Sequence, residues 1–195
     1  MQAHWGRDIK GVLAHARVQD FNTFIGKMLF IEEIQSDWHN EGHKSGYIDE
    51  SKGLTVESTD TRHEGDEKNS VPDAPFKNNY HEYVLKRLLR EAAENGYDSI
   101  GWTTAQTQVE RWSEEFAEGY RIEYDQDIPQ FLRKYGKKWG AAVGKATLDN
   151  GTEVWSMDIT DSMKDSVLHE GQVLFSDRYQ SAGTNSEILS LIEKV

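Results

Sequence analysis

Residues 29–39, Leu-Phe-Ile-Glu-Glu-Ile-Gln-Ser-Asp-Trp-His, run from an apolar, strand-like stretch into a dense group of ionisable and polar side chains. In strict alternation Glu33, Gln35 and Asp37 form one polar row, while Glu32, Ile34 and Ser36 point the other way. A plain half-buried strand has no use for such a row, whereas a site at a strand end does. An edge strand with one solvated face gives the same pattern, so both readings stand. As chemistry, Glu33 or Asp37 would remove a proton from a reacting group, and Gln35, Ser36 and Trp38 would shape the pocket around it. Four residues along an extended strand span about 13 Å, too far for the paired carboxylates of a glycosidase unless the chain bends at Ser36.

Two other places offer chemistry. His39 and His43 are spaced i, i+4 with Asp37 and Glu41 beside them, which on a helix would make a metal-binding face. Asn40, Gly42, Ser45 and Gly46 argue against a helix there, and no metal is expected. Trp102-Thr103-Thr104 ends a short predicted strand, where hydroxyls and backbone amides can face a ligand; Thr is also an ordinary strand residue.

The elements that position these groups read as follows. Residues 12–18 and 28–35 are predicted strands joined by a turn containing Asn22 and Gly26. Residues 49–70 turn strongly polar and read as a long excursion or mobile loop within one domain spanning 1–178. The clearest helix starts after Asn78 or Asn79, carries Tyr80, Val84, Leu85, Leu88, Leu89, Ala92 and Ala93 at helical spacing, and stops at Gly96. It leads into the strand ending at Thr104, which makes it a crossover helix. Residues 105–116 read as helical. A further helix, capped by Asp125 or Asp127, carries Ile128, Phe131, Leu132 and Tyr135 with Pro129 in its first turn. Asn150-Gly151 marks a hairpin between residues 142–148 and 152–159. Residues 163–168 form a short helical turn, and a tail over 179–195 holds a short helix at 185–194. The predicted fold is a single α+β domain with a mixed, mostly antiparallel sheet and one prominent crossover helix.

Composition narrows the function. The 195 residues include no Cys, which removes disulfides, thiol catalysis and thiolate metal sites. A net charge of −12, from 34 acidic and 22 basic side chains, argues against nucleic-acid binding. The main basic exception is Arg133-Lys134-Tyr135-Gly136-Lys137-Lys138, which reads as a helix end complementing its dipole, or as a holder for a phosphorylated small molecule. No run approaches the ~20 apolar residues of a membrane span, so no membrane partner is expected.

Val12-Leu13-Ala14-His15, residues 29–38, Val71-Pro72-x-x-Pro75-Phe76, Asn95-Gly96-Tyr97-Asp98 and residues 163–175 together resemble a domain of the large polyvalent proteins of bacteriophages and prophages. The resemblance runs from about residue 4 to 175. It implies a mobile-element protein acting in a bacterial cytoplasm, one module of a longer chain, with a host protein or small molecule as partner. A second resemblance concerns the order of elements: strand, strand, glycine-containing loop, long helix, strand, helix ending Lys134-Tyr135-Gly136, then hairpin. That order is similar to the GCN5-related N-acetyltransferases. It implies acetyl-CoA as cofactor, with its pyrophosphate on backbone amides at the long helix's N-terminus. Thr103 and Thr104 would then line the cofactor cleft, with Trp102 beside the acceptor pocket and Glu33 or Asp37 as base. Two other functions remain open: a non-catalytic acidic module that sequesters a host defence factor, and an ADP-ribosyltransferase using Arg17 or His15, Thr103-Thr104 and Glu170.

Overall fold

The computed structural model describes residues 11–48, 56–57 and 70–173. Strands β1 (His15–Thr23) and β2 (Gly26–Gln35) form an antiparallel hairpin whose tip is Phe24-Ile25. The expected turn at Asn22 is displaced, because Thr23 pairs directly with Gly26 and Asn22 stays in the strand. Gly26 has φ 128, and a Cβ there would stand 2.1 Å from the Asp98 carboxylate. The same carboxylate accepts the Lys27 N–H at 2.8 Å.

The pairing of β1 with β2 shifts between Arg17 and Val18: Arg17 faces Glu33, Val18 faces Ile31, and Glu32 is the extra residue. This bulge moves the apolar alternation by one position. Leu29 and Ile31 join the main core before it and Ile34 joins after it, while Met28 and Phe30 pack in a second cluster.

Helix α1 (Asp37–Ser45) starts immediately after β2, capped by Ser36, whose hydroxyl accepts the His39 N–H at 3.0 Å. The sequence argued against this helix through Asn40, Gly42, Ser45 and Gly46. Its glycine is a packing requirement, since a Cβ at Gly42 would sit 2.1 Å from the Tyr47 ring. Tyr47 belongs to β3 (Tyr47–Ile48), the centre of a small sheet with β4 (Val56–Glu57) and β5 (Val71–Pro72). Apart from β4, the polar stretch 49–70 lies outside the described residues up to Ser70, and so does the tail 179–195 with its expected helix.

Helix α2 (Tyr80–Glu94) crosses from β2 to β6 (Ser99–Trp102), which pairs parallel to β2. It buries Val84, Leu85, Leu89, Ala92 and Ala93 against the sheet. Each large apolar side chain contributes about 1.5–3 kcal/mol. Leu88, expected on the same face, is only partly covered. Gly96, at φ 67, ends the helix as anticipated.

After β6 come α3 (Ala105–Arg111) and α4 (Ala117–Ile122), then a π-helical turn, Glu123–Asp127, and α5 (Ile128–Gly136). The predicted cap at Asp125 or Asp127 does not exist: Asp127 has helical angles of −65° and −50°, with no side-chain cap hydrogen bond. The helix runs straight through, so Pro129 lies inside it. Proline has no N–H for the carbonyl four residues back and its ring crowds that carbonyl. The wider π turn absorbs the conflict.

Strands β7 (Val143–Thr147) and β8 (Glu153–Asp158) form the hairpin signalled by Asn150-Gly151. Helix α6 (Asp161–Asp165), capped by Thr160, follows. The sheet order is β1-β2-β6-β8-β7, with only β2–β6 parallel. The predicted mixed, mostly antiparallel α+β fold with a crossover helix is therefore the fold observed. No helix among the described residues is long and apolar enough to cross a membrane.

Candidate active site

The parallel strands part company just past Trp102. Pairing of β2 with β6 ends at Ile31 and Trp102, with one more bond from the Thr103 N–H to the Ile31 carbonyl at 3.2 Å. The next inward N–H of β2, that of Ile34, donates instead to the Tyr124 hydroxyl at 3.3 Å. A side chain from the π turn thus takes the place of the missing strand. A cleft of about 440 Å³ opens at this point, at the carboxyl end of β2, where sheets containing parallel strands commonly hold ligands.

Glu33 and Gln35 reach the cleft from β2, Tyr80 from the first turn of α2, and Tyr120, Glu123 and Tyr124 from the helix opposite. The bulge decides what Glu33 does. It sets Glu32 and Glu33 side by side, and Arg17 holds both, Nε at 2.5 Å from Glu32 and Nη2 at 2.7 Å from Glu33. Gln108, 2% exposed, donates to the Glu32 carbonyl at 2.7 Å, satisfying a group at the bulge.

The π turn is fastened at two of its residues. Trp102 Nε1 donates to the Tyr124 carbonyl at 3.1 Å. The Asp125 carboxylate accepts Trp155 Nε1 at 2.8 Å and the Ala105 N–H at 3.3 Å. Between these anchors and the end of α4 stands Glu123, whose side chain faces the cleft. Among the described residues its carboxylate has one hydrogen-bond partner, the Tyr80 hydroxyl, at a long 3.4 Å. Burial, reinforced by the negative charges of Asp127 and Glu33 and opposed by the Tyr80 bond, pushes the Glu123 carboxyl up to about 7. A carboxyl that is part-ionised at neutral pH can both take and give a proton.

Of the residues singled out in the sequence, Glu33 and Gln35 line this cleft and the others stand elsewhere. Asp37 leaves the expected row because the strand ends and α1 begins with it. Ser36 is spent on its cap and on a 2.5 Å bond to the Leu13 carbonyl. Trp38 donates to the Pro72 carbonyl at 2.8 Å. Trp102 is fully buried and stacks on Trp155 at 6.0 Å. Thr103 is buried with its hydroxyl on the Thr104 carbonyl, and Thr104 caps α3. None of these residues is among those lining the cleft. Glu170 accepts the Ser166 hydroxyl at 2.6 Å, and Arg17 is committed to the two glutamates.

His39 and His43 do share a helix, yet their ring nitrogens face protein oxygens. His39 bonds Tyr47 Oη at 3.1 Å and the Pro75 carbonyl at 3.0 Å; His43 bonds the Lys77 carbonyl at 3.0 Å. No cluster able to hold a metal ion occurs among the described residues.

Sequence reading missed Glu123, Tyr80, Tyr120 and Tyr124. A signal was there: Tyr120, Tyr124, Ile128 and Leu132 repeat every four residues straight through Pro129. An unbroken helical pattern across a proline marks a distortion inside a helix, not its start.

A second cleft, of about 880 Å³, is lined by residues from the start of α2, the π turn and α5. Asn79 and His81 flank Tyr80 there, and Asp127 belongs to the turn that carries Glu123. Lys134 and Lys138 supply its cations, Glu82 and Asp127 its anions, and α2 begins beside it with no side-chain cap.

No family model matches the chain, nor does any curated protein or any solved structure.

Proposed function

We propose that this protein is an acyl-CoA-dependent N-acyltransferase, phage- or prophage-encoded, that modifies a host protein or small molecule in the bacterial cytoplasm. The observation that carries the reading is Glu123, a carboxyl titrating near 7 in a cleft where two parallel strands separate. Glu123, rather than Glu33 or Asp37, acts as the base: its ionised form takes the proton that an amine must lose. Tyr80 holds the carboxylate by a hydrogen bond, and Glu33, which shares Arg17 with Glu32, shapes the wall opposite.

The connectivity supports the reading as well. A β-hairpin, a crossover helix to a parallel strand, a helical stretch and a closing hairpin follow one another in the order that the acetyltransferase resemblance implies. Acetyl-CoA, when bound, supplies a thioester whose acyl group passes to the amine nitrogen as the thiol is released. The residues fit such a group in part. Lys134, Lys138 and the uncapped start of α2 suit a pyrophosphate, whereas Glu82 and Asp127 weaken the positive field there.

Thermal unfolding with acetyl-CoA, with NAD and with neither tests the proposal. At 100 times its Kd a ligand adds roughly 2.7 kcal/mol. Acetyl-CoA should raise the unfolding temperature, NAD should not, and Lys134→Glu with Lys138→Glu should abolish the rise. Stabilisation by NAD alone would favour the ADP-ribosyltransferase reading and overturn this one.

A further inference from the structure

The cleft beside Glu123 is built from rings and carboxylates. Tyr80, Trp112, Phe116, Tyr120 and Tyr124 line it together with Glu33 and Glu123, and no Lys, Arg or His among the described residues does. Three of the rings follow one another along a single helical stretch: Phe116 and Tyr120 lie 6.4 Å apart between centroids, Tyr120 and Tyr124 6.3 Å. Trp112 and Phe116 stand at the rim, 53% and 56% exposed, with the Arg111 guanidinium 5.8 Å from the Trp112 ring.

This lining selects by charge. Aromatic faces carry negative potential and attract a cation placed over them. Two arginines stand beside the cleft: Arg17 is shared by Glu32 and Glu33 from the β1 side, and Arg111 lies 5.8 Å from the Trp112 ring and 3.9 Å from Glu32, so among the described residues neither is paired with Glu123. An anion would meet rings and a carboxylate with nothing to balance it. A neutral apolar molecule would gain the rings but strand Glu123. A positive alkylammonium group satisfies both.

We infer that this cleft is a recognition site for alkylammonium cations, held by the rings of Phe116 and Tyr120 and balanced by Glu123. The inference rests on the acyltransferase reading only in naming the cation's primary-amine form as the acceptor. Quaternary ammonium groups, which cannot be acylated, bind the same place. The groups facing Glu123 are Tyr80 from α2, Glu33 from β2, and Tyr120 and Asp127 from its own helical stretch. The Tyr80 and Tyr120 hydroxyls are held above their ordinary range by burial and by Glu123 or Glu33. Near neutral pH, therefore, Glu123 is the group whose charge changes. Because choline carries a fixed charge, its affinity rises as Glu123 loses its proton.

The test uses calorimetry on the whole chain with no acyl-CoA present, comparing choline with its uncharged isostere 3,3-dimethyl-1-butanol. Choline should bind at least tenfold more tightly, and more tightly at pH 8 than at pH 6. Tyr120→Leu should lose about tenfold and Tyr120→Phe should retain wild-type binding, with equal unfolding temperatures showing that both variants fold. Glu123→Gln should flatten the pH dependence. Two primary amines then separate the sources: cadaverine for a free diamine, and a lysine-containing peptide for a protein side chain. Equal affinity for choline and its isostere, or no loss in Tyr120→Leu, overturns the inference. Because no thioester is present, that failure leaves acyl transfer standing. Cation binding without any response to acetyl-CoA would sink the acyltransferase reading instead.

Discussion

Burial moves the titration of both His39 and Glu123, and the molecule treats the two side chains in opposite ways. His39 is fully buried between α1 and the small sheet, with a Tyr hydroxyl on one ring nitrogen and a carbonyl on the other. It also stacks on Tyr80 at 5.8 Å. Glu123, across the Tyr80 ring from it in the chain of contacts, has among the described residues one long side-chain hydrogen bond and a cleft in front of it. A buried polar group with every partner present holds the fold together. One that is left short of partners beside open space is arranged for something that arrives later. Tyr80 serves both, with its face on the histidine and its hydroxyl on the carboxyl.

The contrast breaks most visibly if packing is removed from beneath both regions. Leu85 is fully buried at the centre of the helix–sheet core. Leu85→Ala should cost about 3–4 kcal/mol in denaturant unfolding, and a loss below about 1 kcal/mol would mean that α2 is not seated as described. His39→Ala should cost about 2–3 kcal/mol, because it opens a cavity and removes the ring partner of the Pro75 carbonyl and one of the two partners of Tyr47 Oη, which keeps its bond to the residue-39 carbonyl. Ligand binding by the folded fraction should be unchanged; a binding defect larger than the stability defect would erase the distinction between the two regions. Asp125→Ala sharpens it from the other side. Losing the bonds to Trp155 and Ala105 should cost about 1–2 kcal/mol. Loosening the π turn should also weaken choline binding, since it leaves the turn held by Tyr124 alone of its two fastened residues.

The histidine region and the cleft also differ in how far the sequence announces them. Local signals were read correctly: the crossover helix from its apolar spacing, its end from Gly96, the hairpin from Asn150-Gly151. The features that make the cleft are products of distant contacts. The bulge at Glu32 depends on Arg17 sixteen residues or so upstream and is closed by Gln108, so alternation alone misplaces everything after it. Asp37 dropped out of the polar row because Ser36 caps a helix there, and that helix exists because Gly42 makes room for Tyr47. Pro129 read as a helix start because proline favours the first turn. Only the continuation of Tyr120, Tyr124, Ile128 and Leu132 across it reveals the π turn. Glu33 and Gln35 were legible because they precede the strand end.

The smallest effect discriminates best between the two side chains, because its sign differs. Burial holds the His39 imidazole below its ordinary 6.5, so the fold favours the neutral ring. Its contribution is present above about 6.5 and is lost as pH falls below that value. Glu123 is the reverse, a carboxyl raised from 4.5 to about 7. The fold favours its protonated form, so its contribution is complete below about 4.5 and fades as pH rises to about 7. A shift of that size corresponds to about 3 kcal/mol at most. Water in the open cleft screens it to about 1 kcal/mol. Glu123→Gln, which keeps the shape and removes the charge, should therefore match wild type near pH 4.5 and exceed its stability by about 1 kcal/mol at pH 8. His39→Gln should be less stable than wild type at pH 8, and that deficit should shrink as the pH falls to 5. Unfolding curves at these pH values decide the matter. If Glu123→Gln is instead less stable than wild type at pH 8, the carboxylate is a satisfied structural group like His39, and the cleft loses its claim to chemistry.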